Sequence, residues 1–579
     1  MISSEVAQHA RGVGMDSQVR QLVEEIYGSQ PRELLLGLQT LIDKAEASPD
    51  PEESLWDEKD IVLITYADQL SDKGLSPLQA QRKFLLDHGL QDSLSCVHLL
   101  PFCPYTSDDG FSVVDYLAVD ETAGSWADIS DLGGSFHLMF DLVLNHASQK
   151  SDWFQAYLAG NPRYADYFIE VDEDVDLSDV VRPRSLPLLT KFPSTTGDKK
   201  IWTTFSADQV DLNYGNPKVM LEMIEILIEY ANRGARIIRL DAIAFLWKEI
   251  GTNCLHLPQT HAAVKLMRRM LDLVVPGTIL LTETNVPHEE NLSYFGNGTD
   301  EAHMVYQFSL PPLVMDAIQS GDTSILKSWL SSLSPPTDLT TFFNFTASHD
   351  GIGVRPLEGI VSDQRLDALL DVVRERGGKV NTRQTADGVD QPYELNLTYM
   401  SAVTGGSDES VVKQVRRFLA TQALMLSMQG VPAVYFHSLV GSPNDYEGMN
   451  ASGHNRRINR HKYDRDELDL ALADVNGVQR RVFDGYQRLL SVRRRQAAFH
   501  PSAPQEILDL PTDGMIGIKR VAADGSELVA IISLCDSVRE IPSDLIGNGI
   551  YFDELAEQRI YTGQRIEMLP YQVRWLVAE

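Results

Sequence analysis

Charged residues in this chain stand where apolar runs stop. Asp141 and His146 close the run 137–144, Arg239 and Asp241 the run 235–240, Glu283 follows 278–282, and His349 and Asp350 follow 341–345. A strand-end cap or an ion pair would account for any one of them; accounting for all of them that way is harder. Arg239 and Asp241 are two positions apart, so on a strand both face one side, where the guanidinium favours an ionised carboxylate. Glu283 ends the aliphatic run Ile279-Leu280-Leu281, whose burial would raise its pKa and suit it to giving up a proton. One ionised and one protonated carboxyl group, about 5 to 5.5 Å apart, is the pair that cleaves a glycosidic bond with retention of configuration.

Residues so far apart meet only if the ends of those runs converge. Eight short apolar runs, 61–66, 96–100, 137–144, 235–240, 278–282, 304–308, 341–345 and 431–436, alternate with helix-like segments such as 218–231, 261–274, 411–428 and 478–493. Eight strands alternating with helices predict an α/β fold, a (β/α)8 TIM barrel, whose strand carboxyl ends share one mouth. The barrel is expected over 56–146, 206–350 and 407–500. Two connections are too long for plain βα loops: an inserted domain over 147–205 and a loop subdomain over 351–406, both on the side where they would wall the site. Ahead of the barrel, Val19, Leu22, Val23 and Ile26, then Leu34, Leu35, Leu38, Leu41 and Ile42, predict an N-terminal helical extension over 1–55, closing in the polar stretch 47–51. After His500 the helical period stops, and the runs 516–518, 528–534 and 573–576 predict a C-terminal antiparallel β domain over 501–579.

The composition, 43% hydrophobic and 23% charged, is that of a globular protein. Lys plus Arg is 50 against 82 for Asp plus Glu, a net charge of −32, which argues against a nucleic-acid partner. Cys96, Cys103, Cys254 and Cys535 are scattered without a CxxC pair, no apolar leader opens the sequence, and no run approaches membrane-span length. A reduced, cytoplasmic protein without a membrane anchor is expected.

Asp141-Leu-Val-Leu-Asn145-His146, Gly234-Ala-Arg-Ile-Ile-Arg239-Leu-Asp241-Ala242, Glu283-Thr-Asn285 and Phe345-Thr-Ala-Ser-His349-Asp350 resemble the four signature regions of the alpha-amylase family of glycoside hydrolases. Gln209-Val-Asp211-Leu-Asn213 resembles its fifth. The resemblance implies that Asp241 is the catalytic nucleophile, Glu283 the general acid/base, and Asp350 the carboxylate that binds sugar hydroxyls and distorts the ring. It also implies that His146, Arg239 and His349 line the glucose pocket.

Finer features are similar to the sucrose phosphorylase branch: Ser107-Asp108-Asp109-Gly110-Phe111 with the residues to Tyr116, Arg182-Pro183-Arg184, the segment 251–261, and Asn455-Arg456-Arg457-Ile458-Asn459-Arg460. In that branch an Asp meets an Arg of the last segment and closes the pocket beyond one glucose. Here these would be Asp108 and Arg456, with Arg457 as a substitute. The substrate-binding set is then Asp108, Phe111, His146, Gln209, Arg239, His349 and Arg456. The implied activity is that of a retaining α-glucoside phosphorylase. Inorganic phosphate attacks a glucosyl-Asp241 ester and releases α-glucose 1-phosphate.

The oxyanion needs a local basic patch, for which Arg374, Arg376, Lys379 and Arg383 are candidates. The N-terminal extension and the segments 282–297 and 391–399 are more similar to the phosphorylases acting on glucosylglycerate, so glucosylglycerate is the first-choice substrate and sucrose the second. A retaining α-glucoside hydrolase or transglucosidase, of sucrose hydrolase or amylosucrase type, is the alternative with the same intermediate. No metal and no cofactor beyond phosphate as co-substrate is expected, and a homodimer is left open.

Overall fold

The eight apolar runs become the eight strands of one closed, all-parallel barrel. They are β1 (Val62–Thr65), β2 (Cys96–Leu99), β3 (His137–Val143), β4 (Ala235–Asp241), β5 (Ile279–Thr282), β6 (Met304–Tyr306), β7 (Thr341–Phe345) and β8 (Val431–Tyr435), and each matches its predicted run, with β4 reaching one residue further to include Asp241. Each strand pairs with its neighbours in sequence, and β1 closes on β8 with Val62 opposite Ala433. The strands read as continuous apolar runs because helices cover the outer face while side chains fill the interior. Gly430 shows how tight this closure is. Its φ is +127°, and a Cβ there would lie 2.6 Å from the Phe342 carbonyl oxygen, so only glycine lets β8 enter beside β7.

This computed structural model describes residues 15–45, 54–172, 174–184, 186–384, 389–405, 409–542, 545–547, 549–561 and 565–579. The predicted polar stretch 47–51 lies outside them. The helices Ser17–Tyr27 and Arg32–Lys44 pack on the barrel helices Pro258–Val274 and Pro217–Asn232. Arg269 ties to Asp16 at 2.6 Å and the Tyr27 hydroxyl donates to the Tyr214 carbonyl at 3.0 Å. The N-terminal helices therefore add to the barrel's outer layer on the β4 and β5 side.

The first long connection carries the helix Asp152–Leu158 and the hairpin Leu189–Ser194/Gly197–Trp202, and returns through Gln209–Asp211, which pairs antiparallel with His146–Ser148. The second carries the helix Asp363–Glu375 and a three-stranded antiparallel sheet in which Asp390–Asn396 lies between Ile352–Gly353 and Lys379–Gln384. Both rise from carboxyl ends of barrel strands, β3 and β7. Among the described residues no helix is long and apolar enough to cross a membrane.

The C-terminal residues form a six-stranded antiparallel sheet ordered Gln505–Leu508, Met515–Val521, Glu527–Ser533, Val573–Ala578, Ile550–Asp553, Gln558–Tyr561. It is fastened to the barrel by Arg520, whose fully buried guanidinium donates to the carbonyls of Ser427 (3.0 Å), His500 (2.8 Å) and Ala503 (2.9 Å). Trp575 donates its indole N–H to the Ser427 hydroxyl at 2.9 Å. Replacing Arg520 by Met fills the volume but strips the donors from three carbonyls. We expect a loss of about 3 kcal/mol or more, read as a lower thermal midpoint by calorimetry, with turnover per folded molecule unchanged at 25 °C.

Candidate active site

At the mouth of the barrel one guanidinium organises four carboxyl groups. The register sets Asp141 opposite Arg239 and Val143 opposite Asp241, so β3 and β4 deliver their polar side chains to the same level. Arg239, 1% exposed, bonds Asp141 and, at 2.7 Å, Asp241, and its other terminal nitrogen lies 3.9 Å from both Glu283 and Asp350. Asp141 is paired on its far side with His98 at 2.6 Å. Burial would raise Asp141, but Arg239 and His98 outweigh it and hold the carboxyl below its ordinary range. His98 itself is kept neutral by burial, so its ring N–H is the donor.

Asp241 and Glu283 are pushed the other way. Burial raises both, and the neighbouring carboxyls add to it: Glu283, Asp141 and Asp350 act on Asp241, and Asp350 acts on Glu283. The expectation that Arg239 alone keeps Asp241 ionised is therefore incomplete, because the guanidinium works against three like charges. The two carboxyls titrate as a pair that retains a proton at higher pH than either would alone. Arg239 bonds Asp241 directly at 2.7 Å and stands 3.9 Å from Glu283, which instead accepts the Ala242 backbone N–H at 3.0 Å. Asp350 is lowered: burial is outweighed by His349, Arg456 and Arg239 around it.

The other predicted residues join this cluster through Phe111. Its ring stacks on His349 with centroids 4.7 Å apart and planes within 3°. Its carbonyl accepts from His146 Nε2 at 2.8 Å and from the Gln209 amide at 3.2 Å. His146 and Gln209 thus fix Phe111, as well as facing the pocket. The turn before Phe111 is strained, with Asp108 at φ 54° and Asp109 at φ 48°. Gly110 at φ +112° packs so closely that a Cβ would stand 2.5 Å from the Pro101 carbonyl oxygen.

The rim differs from the expected pairing. Asp108 meets Arg184 at 3.1 Å and Arg460 at 3.7 Å, while Arg456 bonds Asp350 at 2.7 Å and Glu394 at 2.5 Å. Arg457, the predicted substitute, faces Asp109 at 3.3 Å together with Arg460 at 2.8 Å. The reason is that Asn455–Asn459 is a 3-10 turn leading into Arg460, so residues three apart point the same way. Arg457 and Arg460 align on Asp109, and Arg456 is turned towards Asp350. Asp108 still feels Arg456 through space. Burial notwithstanding, Arg184, Arg456 and Arg460 hold it far below the usual carboxylate range.

A cavity of about 980 Å³ is lined by Asp108, Arg184, Gln209, Tyr393, Arg456 and Arg460 among others. Asp109, Arg184, Tyr393, Glu394 and Arg460 lie within the family-like segments, but which residue of a turn faces inward is not visible in the sequence. His98 carried a signal, a polar residue inside the apolar run Cys96–Leu100. Arg374 is exposed and tied to Asp371, and Arg376 is bonded to the Ala402 carbonyl, so neither oxyanion candidate reaches this cluster.

Lys248 is a further unpredicted residue. Its ammonium, 4% exposed, lies 2.6 Å from both Asp211 and the Asn145 side-chain oxygen. It bridges the end of β3 to the first insertion, supplying positive charge where the two segments meet.

A barrel with these carboxyl groups at its carboxyl-end mouth defines an enzyme acting on glycosidic bonds. Residues 93–350 match the alpha amylase catalytic domain. A glucosylglycerate phosphorylase of Allomeiothermus silvanus is 49% identical over 90% of this chain and 92% of its own length. One of Escherichia coli strain K12 is 43% identical over 97% of this chain and its whole length. The crystal structure of sucrose 6F-phosphate phosphorylase from Thermoanaerobacter thermosaccharolyticum superposes with a TM-score of 0.72 at 25% identity, covering 88% of this chain and 98% of that one. The chain belongs to the alpha-amylase family, among its glycoside phosphorylases.

Since Asp241 is buried among like charges and its folded pKa is raised, its ionised form weakens the fold at neutral pH. Asp241→Asn keeps the shape and an acceptor for Arg239 while removing that charge. We expect a thermal midpoint equal to or above that of the parent, measured at pH 7; a clear fall would contradict this charge balance.

Proposed function

We propose that this enzyme is a retaining α-glucoside phosphorylase with glucosylglycerate as its first substrate and sucrose as its second. The observation that carries the reading is the joint placement of Asp241, Glu283 and Asp350 around Arg239, beneath a rim in which Asp108 and Asp109 are tied to Arg184, Arg457 and Arg460. In this reading the rim closes the pocket beyond one glucosyl unit, as in the branch its motifs resemble. The 49% identity to a glucosylglycerate phosphorylase over most of both chains supports the acceptor.

In this reading protonated Glu283 gives its proton to the departing glycosidic oxygen while ionised Asp241 attacks the anomeric carbon. The acceptor leaves as a free alcohol and a glucosyl-Asp241 ester remains. Phosphate then attacks that carbon from the face the acceptor left, Glu283 takes its proton, and the ester bond breaks to give α-glucose 1-phosphate. Asp350, held ionised by His349, Arg456 and Arg239, binds ring hydroxyls and stabilises the oxocarbenium-like transition state.

The test is release of glucose 1-phosphate from glucosylglycerate, sucrose, sucrose 6'-phosphate and glucosylglycerol, each with and without phosphate. Glucose 1-phosphate from glucosylglycerate, formed only when phosphate is present, is expected, and Asp241→Asn should lower that rate by about 10,000-fold or more. Free glucose at the same rate in both conditions would make the enzyme a hydrolase.

The reaction needs no metal or cofactor in this reading, since protons and charge are handled by carboxyl groups and arginines, and Lys248 supplies the cation between Asn145 and Asp211. Activity after exhaustive chelation and dialysis should equal that of untreated enzyme; a loss reversed by calcium would refute it. The four free, buried cysteines suit a reducing, cytoplasmic setting.

A further inference from the structure

Two arginines near Glu283 have no task in the mechanism above. Arg355 follows the strand Ile352–Gly353, and Arg383 lies in the strand Lys379–Gln384 of the same small sheet. The strand Asp390–Asn396 runs between them: the Val354 N–H donates to the Tyr393 carbonyl at 3.1 Å, and Arg383 is registered opposite Gln391. Both guanidinium groups turn to one carboxylate, Glu358, which lies 3.6 Å from Arg355 Nε and 3.3 Å from Arg383 Nη2. Arg383 also donates to the Gln391 side-chain oxygen at 3.3 Å. In each arginine the Nε atom is buried without a hydrogen-bond partner among the described residues. Two largely buried cations share one half-exposed anion, so a positive charge and two donors are left over. Such groups are costly unless something else binds there.

The position relative to the chemistry follows from close packing. Gly353, two residues before Arg355, is pressed on Asn285 so tightly that a Cβ would stand 2.4 Å from its side-chain oxygen. Asn285 is two residues after Glu283, and that oxygen is itself buried without a partner. Tyr393 lies in the field of both Glu283 and Arg355. Arg355 therefore follows the strand packed against the loop that carries Glu283, and Tyr393, on the strand between the two arginines, lines the cavity.

We infer that Arg355 and Arg383 form a subsite for the carboxylate of the acceptor, with the Asn285 oxygen accepting a hydrogen bond from one of the acceptor's hydroxyls. This rests on the proposed glucosylglycerate specificity and names the residues that produce it. Guanidinium groups match a planar carboxylate with paired N–H donors, and the match is strong where water is scarce. A neutral acceptor such as glycerol would leave the same donors unpaired, which is how a polar site rejects an analogue. In a chain of net charge −32 an anionic acceptor also needs a local positive site of this kind.

The experiment runs the reaction in the synthetic direction, with glucose 1-phosphate as donor and D-glycerate or glycerol as acceptor, for the wild type, Arg355→Gln and Arg383→Gln. KM for glycerate should rise about 10- to 100-fold in each variant, with glycerol turnover and KM for glucose 1-phosphate unchanged. Arg383→Lys, which keeps the charge but loses the planar fork, should recover part of the loss. Equal losses on both acceptors would mean a purely structural role and overturn the assignment. A matching rise in KM for inorganic phosphate during phosphorolysis would make the pair a phosphate site and overturn it likewise. Wild-type preference for glycerate that persists in both variants defeats this assignment alone, whereas a wild type without that preference defeats the proposed substrate and the assignment together.

Discussion

The whole site depends on Arg239. Four carboxyl groups, Asp141, Asp241, Glu283 and Asp350, are buried within reach of this one guanidinium, which cannot satisfy them all as anions. Without it the cluster would have to protonate throughout, since isolated charges are not tolerated in an apolar mouth. With it, the shortage is resolved unequally. His98 relieves Asp141, Arg456 relieves Asp350, and Asp241 and Glu283 are left to share what remains. How the two carboxyl groups share protons is thus a consequence of how many cations are present and where they reach.

The barrel provides the means of reaching. Parallel strands in register raise Asp141, Arg239 and Asp241 to one level, and the next strands bring Glu283 and Asp350 around the same ring. Everything that gives the pocket a shape lies outside the barrel. The turn at Asp108 to Phe111 is braced from below by His146 and Gln209 and from above by Arg184 of the first insertion. The second insertion contributes Glu394, which holds Arg456 against Asp350. Its sheet is joined to the 3-10 turn by Asn455, whose amide donates to the Asn381 side chain at 2.7 Å. Asp350 and the pocket wall are therefore mechanically one unit, although the segments that form it are spread over some 350 positions from Asp108 to Arg460.

The oxyanion problem has a related solution. A strongly acidic chain has no general attraction for phosphate or glycerate, so positive charge must be concentrated where the anion is needed. Of the expected patch, Arg374 is tied to Asp371 and Arg376 to the Ala402 carbonyl, whereas Arg383 shares Glu358 with Arg355, which lies in the 3-10 turn after Ile352–Gly353. Arg374 and Arg376 belong to the end of the helix Asp363–Glu375, while Arg383 lies on the strand after it, past the irregular register between Asn381 and Thr382.

By itself the sequence determined the barrel and which charged residues stand at its mouth. Runs such as Ile237-Ile238-Arg239-Leu240-Asp241 declare both a buried strand and the charges at its end, because burial on two faces demands apolar residues and only a function tolerates the exceptions. The same reasoning delivered the N-terminal helices and the C-terminal strands. Which partners those charges take was decided by tertiary structure alone. Arg456 was expected at Asp108 and stands at Asp350, because a 3-10 turn rotates successive side chains by a third of a circle and no spacing rule records that rotation. Lys248 carried no signal, being an ordinary charged residue after β4, and Glu394 stood in a family-like segment without a role, until the fold set one between Asn145 and Asp211 and the other beside Arg456. Local periodicity fixes which elements exist. The pairing of buried charges depends on distances across the mouth, and these exist only once the chain has closed.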